Sequence, residues 1–167
     1  TILDLVIYHK ESSGIQRIKE AKLDVIYKTL HLDVKKISIC YYISEFLSKI
    51  LKSSEINEYQ FNFIQDSLIV FDNIGGNYSN FHIQFFLKLT KYYGIDIDNP
   101  NQLCTTGLSS KLFSYIDKCI ISNYEVKIYS NNILRNKVLN LITEYYSKHM
   151  DISIKLKSTT VLKEIFN

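Results

Sequence analysis

"NFHIQFFLKLTKYYGIDID", Asn80–Asp98, decides how this chain folds. Phe81, Phe85 and Leu89 recur at i, i+4 and i+8, which is one face of a helix. Gly94 stands where such a helix would stop, so the spacing predicts a helix from about Ser79 to Tyr93. Phe86 adds a fourth large apolar side chain, and the stripe Phe81, Phe85, Phe86 reads as core rather than as the lining of a pocket.

Working outward toward the N-terminus, "NIGGN" ends a preceding helix, with Gly75 and Gly76 free to take left-handed conformations. Asn57 caps that helix, whose stripe is Phe61, Ile64, Leu68 and Phe71. "KSSEIN" separates it from a first helix, capped by Asp33, with Ile37, Tyr41, Ser44, Leu47 and Leu51 on one face. Before Asp33 the pattern is that of strands. "ILDLVIYHK", the turn signal "ESSG" and "IQRIKEAKLD" read as a β-hairpin. Two strands alone are marginal in water, so they are expected to pair with strands not present here or to pack on the helices after them. The chain opens on Thr1 directly into a strand-like run, which is read as a fragment lacking its N-terminal part.

Toward the C-terminus, residues 95–108 hold Pro100, Asp96, Asp98, Asn99 and Gly107 and read as a loop. Ser109 or Ser110 caps a fourth helix reaching Ile121. Asn131 precedes a long helix, about 132–149, with Leu134, Val138, Leu141 and Tyr145 on one face. Ser158 caps a last short helix ending near Phe166. In that tail, Leu156, Val161, Leu162 and Ile165 are expected to close the core, while Lys155 and Lys157 face an anionic partner. The fold class is mainly α: a helical domain of about five to six helices preceded by a short β-hairpin.

A hydrophobic content of 46% is ample for a core and argues against global disorder. The net charge of +3 is too small to announce nucleic-acid binding, but its distribution is uneven. Residues 1–36 carry +2, residues 37–126 carry −3 and residues 127–167 carry +4. Basic ends around an acidic middle permit a basic face toward an anionic partner, or simply a solvated surface. Cys40, Cys104 and Cys119 are odd in number and widely spaced. This argues against a zinc ribbon or a disulfide framework and favours a reducing, cytoplasmic compartment. No apolar run reaches the length of a membrane span, and no signal peptide is visible.

Catalytic motifs are absent from the sequence. "NIGGN" lacks the spacing and the Lys of a phosphate loop. "DIDN", Asp96–Asn99, lacks the Gly and closing Glu of a calcium loop. His9, His31, His82 and His149 have no carboxylate partner at metal-ligand spacing and read as structural. His82 and His149 are expected to bond backbone groups between helices. The reading is therefore not an enzyme, with no catalytic residue, metal or cofactor and no small-molecule substrate. A hydrolase would rest only on unassigned polar residues.

Two stretches carry more than pattern. One holds Phe81, His82, Phe85, Phe86, Leu89 and Gly94. The other, Leu134–Phe166, holds Arg135, Val138, Tyr145, Tyr146, His149, Leu156, Lys157, Ser158, Val161 and Leu162. In order and spacing these resemble the F-H-x-x-F-L-x-x-L-x-x-x-x-G helix and the late R-x-x-L…Y-Y-x-x-H…L-K-S-x-x-V-L helix pair of the RecO family of recombination-repair mediators. Phe86 and Val138 stand where the family has Leu. The resemblance covers most of the chain and implies two parts. Residues 1–24 would be the last strands of an incomplete oligonucleotide-binding (OB) barrel, and residues 25–167 a helical domain. Some members carry a four-Cys zinc element, but Cys104 and Cys119 have no near partners, so zinc is not carried over.

The resemblance implies a mediator of DNA repair and homologous recombination, part of the DNA damage response. Such a protein binds single- and double-stranded DNA and anneals complementary strands. With RecR it helps load recombinase onto strands coated by single-strand-binding protein (SSB), and it docks the acidic C-terminal tail of SSB. The implied location is the cytoplasm, with the nucleoid, and no membrane is involved. The candidate nucleic-acid contacts are Lys10, Arg17, Lys19 and Lys22 in the hairpin and Arg135, Lys137, Lys155 and Lys157 in the basic C-terminal third. Tyr8 is the candidate for base stacking. Leu156, Lys157 and Val161 are the candidate partner contacts. The competing reading is an interaction scaffold whose helical domain docks SSB or RecR without touching DNA.

Overall fold

A computed structural model describes residues 1–12, 14–51 and 57–166. Most of the "KSSEIN" break and Ser13 of the "ESSG" turn lie outside the described residues. Two strands come first, β1 (Ile2–Tyr8) and β2 (Arg17–Val25), followed by helices α1 (Val34–Ile50), α2 (Glu58–Asn73), α3 (Phe81–Leu89), α4 (Ser110–Ile121), α5 (Asn132–His149) and α6 (Ser158–Ile165). The mainly α fold with a leading hairpin is as expected.

The core is organised around α3. Every residue from Phe81 to Leu89 except Lys88 is buried, so the helix is enclosed on all sides. It touches α1, α2, α4 and α5. Aromatic rings form the contacts. Phe81 stacks on Phe71 of α2 with ring centres 4.0 Å apart, and Phe86 meets Phe46 of α1 at 4.1 Å. Tyr146 of α5 meets Phe46 edge-on at 5.2 Å and donates its hydroxyl to the Phe86 carbonyl at 2.9 Å. Two buried polar side chains here are matched by the segments around them. Gln84 donates to the Ser122 and Asn123 carbonyls, and Asn80, just before α3, bonds Ile128, Tyr115 and Ser130. The expected helix over 79–93 is three pieces: a 3₁₀ turn at Tyr78–Asn80, α3, and a second 3₁₀ turn at Thr90–Tyr93. Gly94 ends it at φ 67°, a backbone that favours glycine.

The caps Asp33 and Asn57 act as read; of Ser109 and Ser110 it is Ser109 that caps α4, and Asn131, which precedes α5, is its cap. Other local expectations are corrected. Gly75 and Gly76 do not take positive φ; Asn77 does, at 61°. Asn tolerates that region because its short side chain can bond locally. The 95–108 loop contains a 3₁₀ turn, Pro100–Leu103, held by reciprocal bonds between Asn99 and Gln102. Ser158 is not the cap of α6. Glu45 of α1 does that work, accepting from the Lys157 N–H at 2.9 Å, the Ser158 N–H at 2.8 Å and the Ser158 hydroxyl at 2.5 Å. Val161 is 45% exposed, so it does not close the core as Leu162 does.

The buried face of α1 is also different from the one expected. Ile39, Ile43, Phe46 and Ile50 enter the core, whereas Ile37, Tyr41 and Leu51 are exposed. Helix α1 is apolar on two adjacent faces, and periodicity alone does not choose between them.

Candidate nucleic-acid interface

The hairpin is an antiparallel ladder open on both sides. Leu3, Leu5 and Ile7 pair with Leu23, Ala21 and Ile18 and form one apolar face. Leu3 remains 47% exposed and Ile18 60%. On the other face Tyr8 pairs with Arg17, and Asp4 with Lys22. Lys19 is the extra residue where the register shifts between Ile18 and Glu20. Lys22 forms an ion pair with Glu20 at 3.2 Å. Arg17 and Lys19 have no ion-pair partner among the described residues. Gln16 clamps the turn by bonding both the N–H and the carbonyl of Lys10.

A buried polar joint fastens the segment after the hairpin to the helices. The Asp72 carboxylate accepts from the N–H groups of Lys28 at 2.7 Å, Thr29 at 2.7 Å and Leu30 at 2.9 Å. Lys36, only 3% exposed, donates its ammonium to the Thr29 hydroxyl and to the Phe71 and Asp72 carbonyls at 2.8–2.9 Å. Burial alone would raise the Asp72 carboxyl. The three backbone donors and the Thr29 hydroxyl outweigh burial and hold it down at about 2.

Where the hairpin meets α1 and α2 lies a groove of about 760 Å³, lined by Leu23, Val25, Ile26, Ile37, Tyr41 and Leu47 among others. The α1 stripe expected to face the core forms one wall of it. Cys40 also borders it, and burial pushes that thiol up to about 11, so it stays protonated.

The C-terminal cations are separated by the fold. Lys137, Lys155 and Lys157 are exposed. Arg135 is half-buried and engaged within the chain: it donates to the Ser130 hydroxyl at 3.0 Å and to the Asn132 side chain, and lies 5.5 Å from the centre of the Phe166 ring. Lys35 of α1 reaches the same ring at 5.9 Å. Lys163 lines a small recess with Arg135, Phe166 and His82. The structure thus gathers Lys35, Arg135 and Lys163 around one aromatic ring. Sequence reading found only Arg135, because Lys35 and Lys163 lie in unrelated helices and no local spacing joins them.

His82 is buried beside that recess, and its Nδ1 has no hydrogen-bond partner among the described residues. Burial first, and the Arg135 charge second, hold its imidazole down at about 3, so it is neutral at physiological pH. The backbone bond expected of it is not seen at Nδ1. His149 is exposed, its ring 4.2 Å from that of Tyr145. Of the candidate partner contacts, Leu156 lines a separate recess of about 210 Å³ whose only charged wall is Glu144. Lys157 is held through its backbone by Glu45, and Val161 points outward. Among the described residues no cluster of His, Cys, Asp or Glu could hold a metal, and no helix is long and apolar enough to cross a membrane.

A family model, Recombination protein O C terminal, matches residues 31–123, more than half of the chain. The DNA repair protein RecO of Flavobacterium psychrophilum is 32% identical over an alignment of 187 positions, which spans 100% of this chain and 77% of that protein. That of Azobacteroides pseudotrichonymphae is 30% identical, spanning 100% of this chain and 78% of that protein. The chain belongs to the RecO family. No solved structure matches it. The region matched by the RecO family model holds α1 to α4, including the enclosed α3. The hairpin cations, Arg135 and the exposed C-terminal lysines lie outside that region, within the longer alignments to the RecO proteins.

Proposed function

We propose that this chain acts in DNA repair and homologous recombination as a mediator that binds and anneals DNA and helps load recombinase onto SSB-coated single strands. Membership of the RecO family, with relatives named DNA repair protein RecO, carries this reading. Residues 1–24 are then the closing strands of an OB barrel and residues 25–167 its helical companion, working in the cytoplasm at the nucleoid. The reading needs no bond-making site.

Arg17 and Lys19 beside the exposed Tyr8 offer phosphate contact and base stacking on one hairpin. Lys137, Lys155 and Lys157 offer further charge on the helical domain. Arg135 contributes less to DNA, because its guanidinium is engaged within the fold. For the acidic tail of SSB, the Lys35, Arg135 and Lys163 cluster around Phe166 suits an anionic peptide better than the recess at Leu156, where Glu144 stands.

A labelled single-stranded oligonucleotide titrated at two salt concentrations tests the reading. Arg17→Glu with Lys19→Glu is expected to weaken binding about tenfold or more. For every phosphate that is no longer neutralised, the negative slope of log affinity against log salt becomes shallower by about 0.7. Absence of binding by the unaltered chain overturns DNA contact here. It would leave the second reading, a scaffold that docks SSB or RecR, for which the large apolar groove at α1 is the supporting observation.

A further inference from the structure

We infer that the groove between α2, the turn at Thr90–Tyr93 and Tyr124 is a binding site for an arginine side chain of a partner peptide. The groove holds about 400 Å³ and is lined by Tyr59, Asn62, Phe63, Asp66, Tyr92 and Tyr124, together with Ser67 and Val70. Its α2 residues fall at i, i+3, i+4, i+7, i+8 and i+11 from Tyr59, one continuous face of the helix. This is a different face from the one that carries Phe71 into the core.

Three of the four rings pack on neighbours. Phe63 stacks on Tyr92 at 4.8 Å and on the buried Phe85 at 5.6 Å. Tyr124 is packed against Phe81 at 4.6 Å, and its hydroxyl is paired with Ser67 at 3.0 Å. Tyr59 stands 80% exposed at the mouth. Asp66 is the one charged residue of the lining, and it has no hydrogen bond or ion pair among the described residues. No Lys or Arg lines the groove.

Aromatic faces around a free carboxylate are the chemistry that receives a cation. A planar guanidinium fits better than an ammonium, because it can stack on a tyrosine ring while presenting two N–H groups to Asp66. Lys88 shows the same attraction from outside the groove, its ammonium 5.7 Å from the centre of the Tyr124 ring. A nucleic-acid base would stack equally well, but its phosphates would meet Asp66 with no cation in the lining to offset the repulsion. The site is therefore distinct from the proposed DNA contacts and opposite to them in charge.

The test is an NMR titration of the full chain with a short Gly-Ser peptide bearing one central arginine. Parallel titrations use the same peptide with citrulline in place of arginine, and oligothymidine. The arginine peptide is expected to shift the Asn62, Asp66 and Tyr92 resonances saturably. Citrulline, which keeps the shape and loses the charge, is expected to bind about fivefold more weakly or worse. Asp66→Asn should weaken the arginine peptide similarly, and Tyr59→Ala should weaken it too. Both positions are exposed, so folding is preserved. Equal binding of the citrulline peptide, no saturable shift, or oligothymidine displacing the same resonances instead would overturn the proposal. Asp66→Asn should leave oligonucleotide affinity unchanged, which separates this site from the DNA reading.

Discussion

Helix α3 and the β1–β2 hairpin are both rich in apolar side chains, yet they end in opposite environments. In α3, Phe81, Phe85, Phe86 and Leu89 are at most 1% exposed. In the hairpin, Leu5, Val6 and Ile7 are each 43% exposed. Helix α3 has four helices around it, whereas among the described residues each strand packs chiefly on the other. Apolar content therefore reports a capacity for burial; the neighbours decide whether it is realised. Stability should be concentrated in the first region and nearly insensitive to the second.

Truncation of the enclosed helix gives the largest expected effect. Phe85→Ala leaves a cavity among Phe63, Phe81 and Phe86 and should cost about 3–5 kcal/mol in urea unfolding. A cost below about 1 kcal/mol would mean that α3 is not the centre of the core.

The polar joint between the two regions ranks next. Asp72→Ala strands three backbone N–H groups and should cost about 3 kcal/mol. Because the folded carboxyl lies at about 2, below its ordinary 3.8, its contribution is complete above pH 3.8 and lost as pH falls toward 2. Unfolding measured across that interval should show a loss of stability that Asp72→Ala reduces. An unchanged pH slope in the variant would show that the joint does not couple to protonation.

The smallest effect belongs to the hairpin. Leu5→Ser should cost about 1 kcal/mol or less, since nearly half of the residue is already in water. A loss comparable to that of Phe85→Ala would erase the contrast and show that the apolar strand face is covered in solution.

The candidate interface divides in the same way. Arg17, Lys19, Lys155 and Lys157 were legible from composition along the chain and remain exposed. Arg135 belonged to the same basic third, but Ser130, Asn132 and Phe166 draw it inward. The aromatic groove at Asp66 gave no sequence signal. Tyr59, Phe63 and Asp66 are near one another along the chain, but Tyr92 and Tyr124 are supplied by distant turns.

By itself the sequence determined what local rules control: the hairpin, the order of the helices, the caps at Asp33 and Asn57, and the stop at Gly94. These depend on hydrogen bonds and side-chain spacings within a few residues, so pattern reveals them. Only the tertiary structure decided which apolar face of α1 enters the core. It alone made Glu45 the cap of a helix 113 residues away and brought Lys35, Arg135 and Lys163 to one ring. Each of these is a choice among surfaces that are locally equivalent, and it is settled by what packs against them.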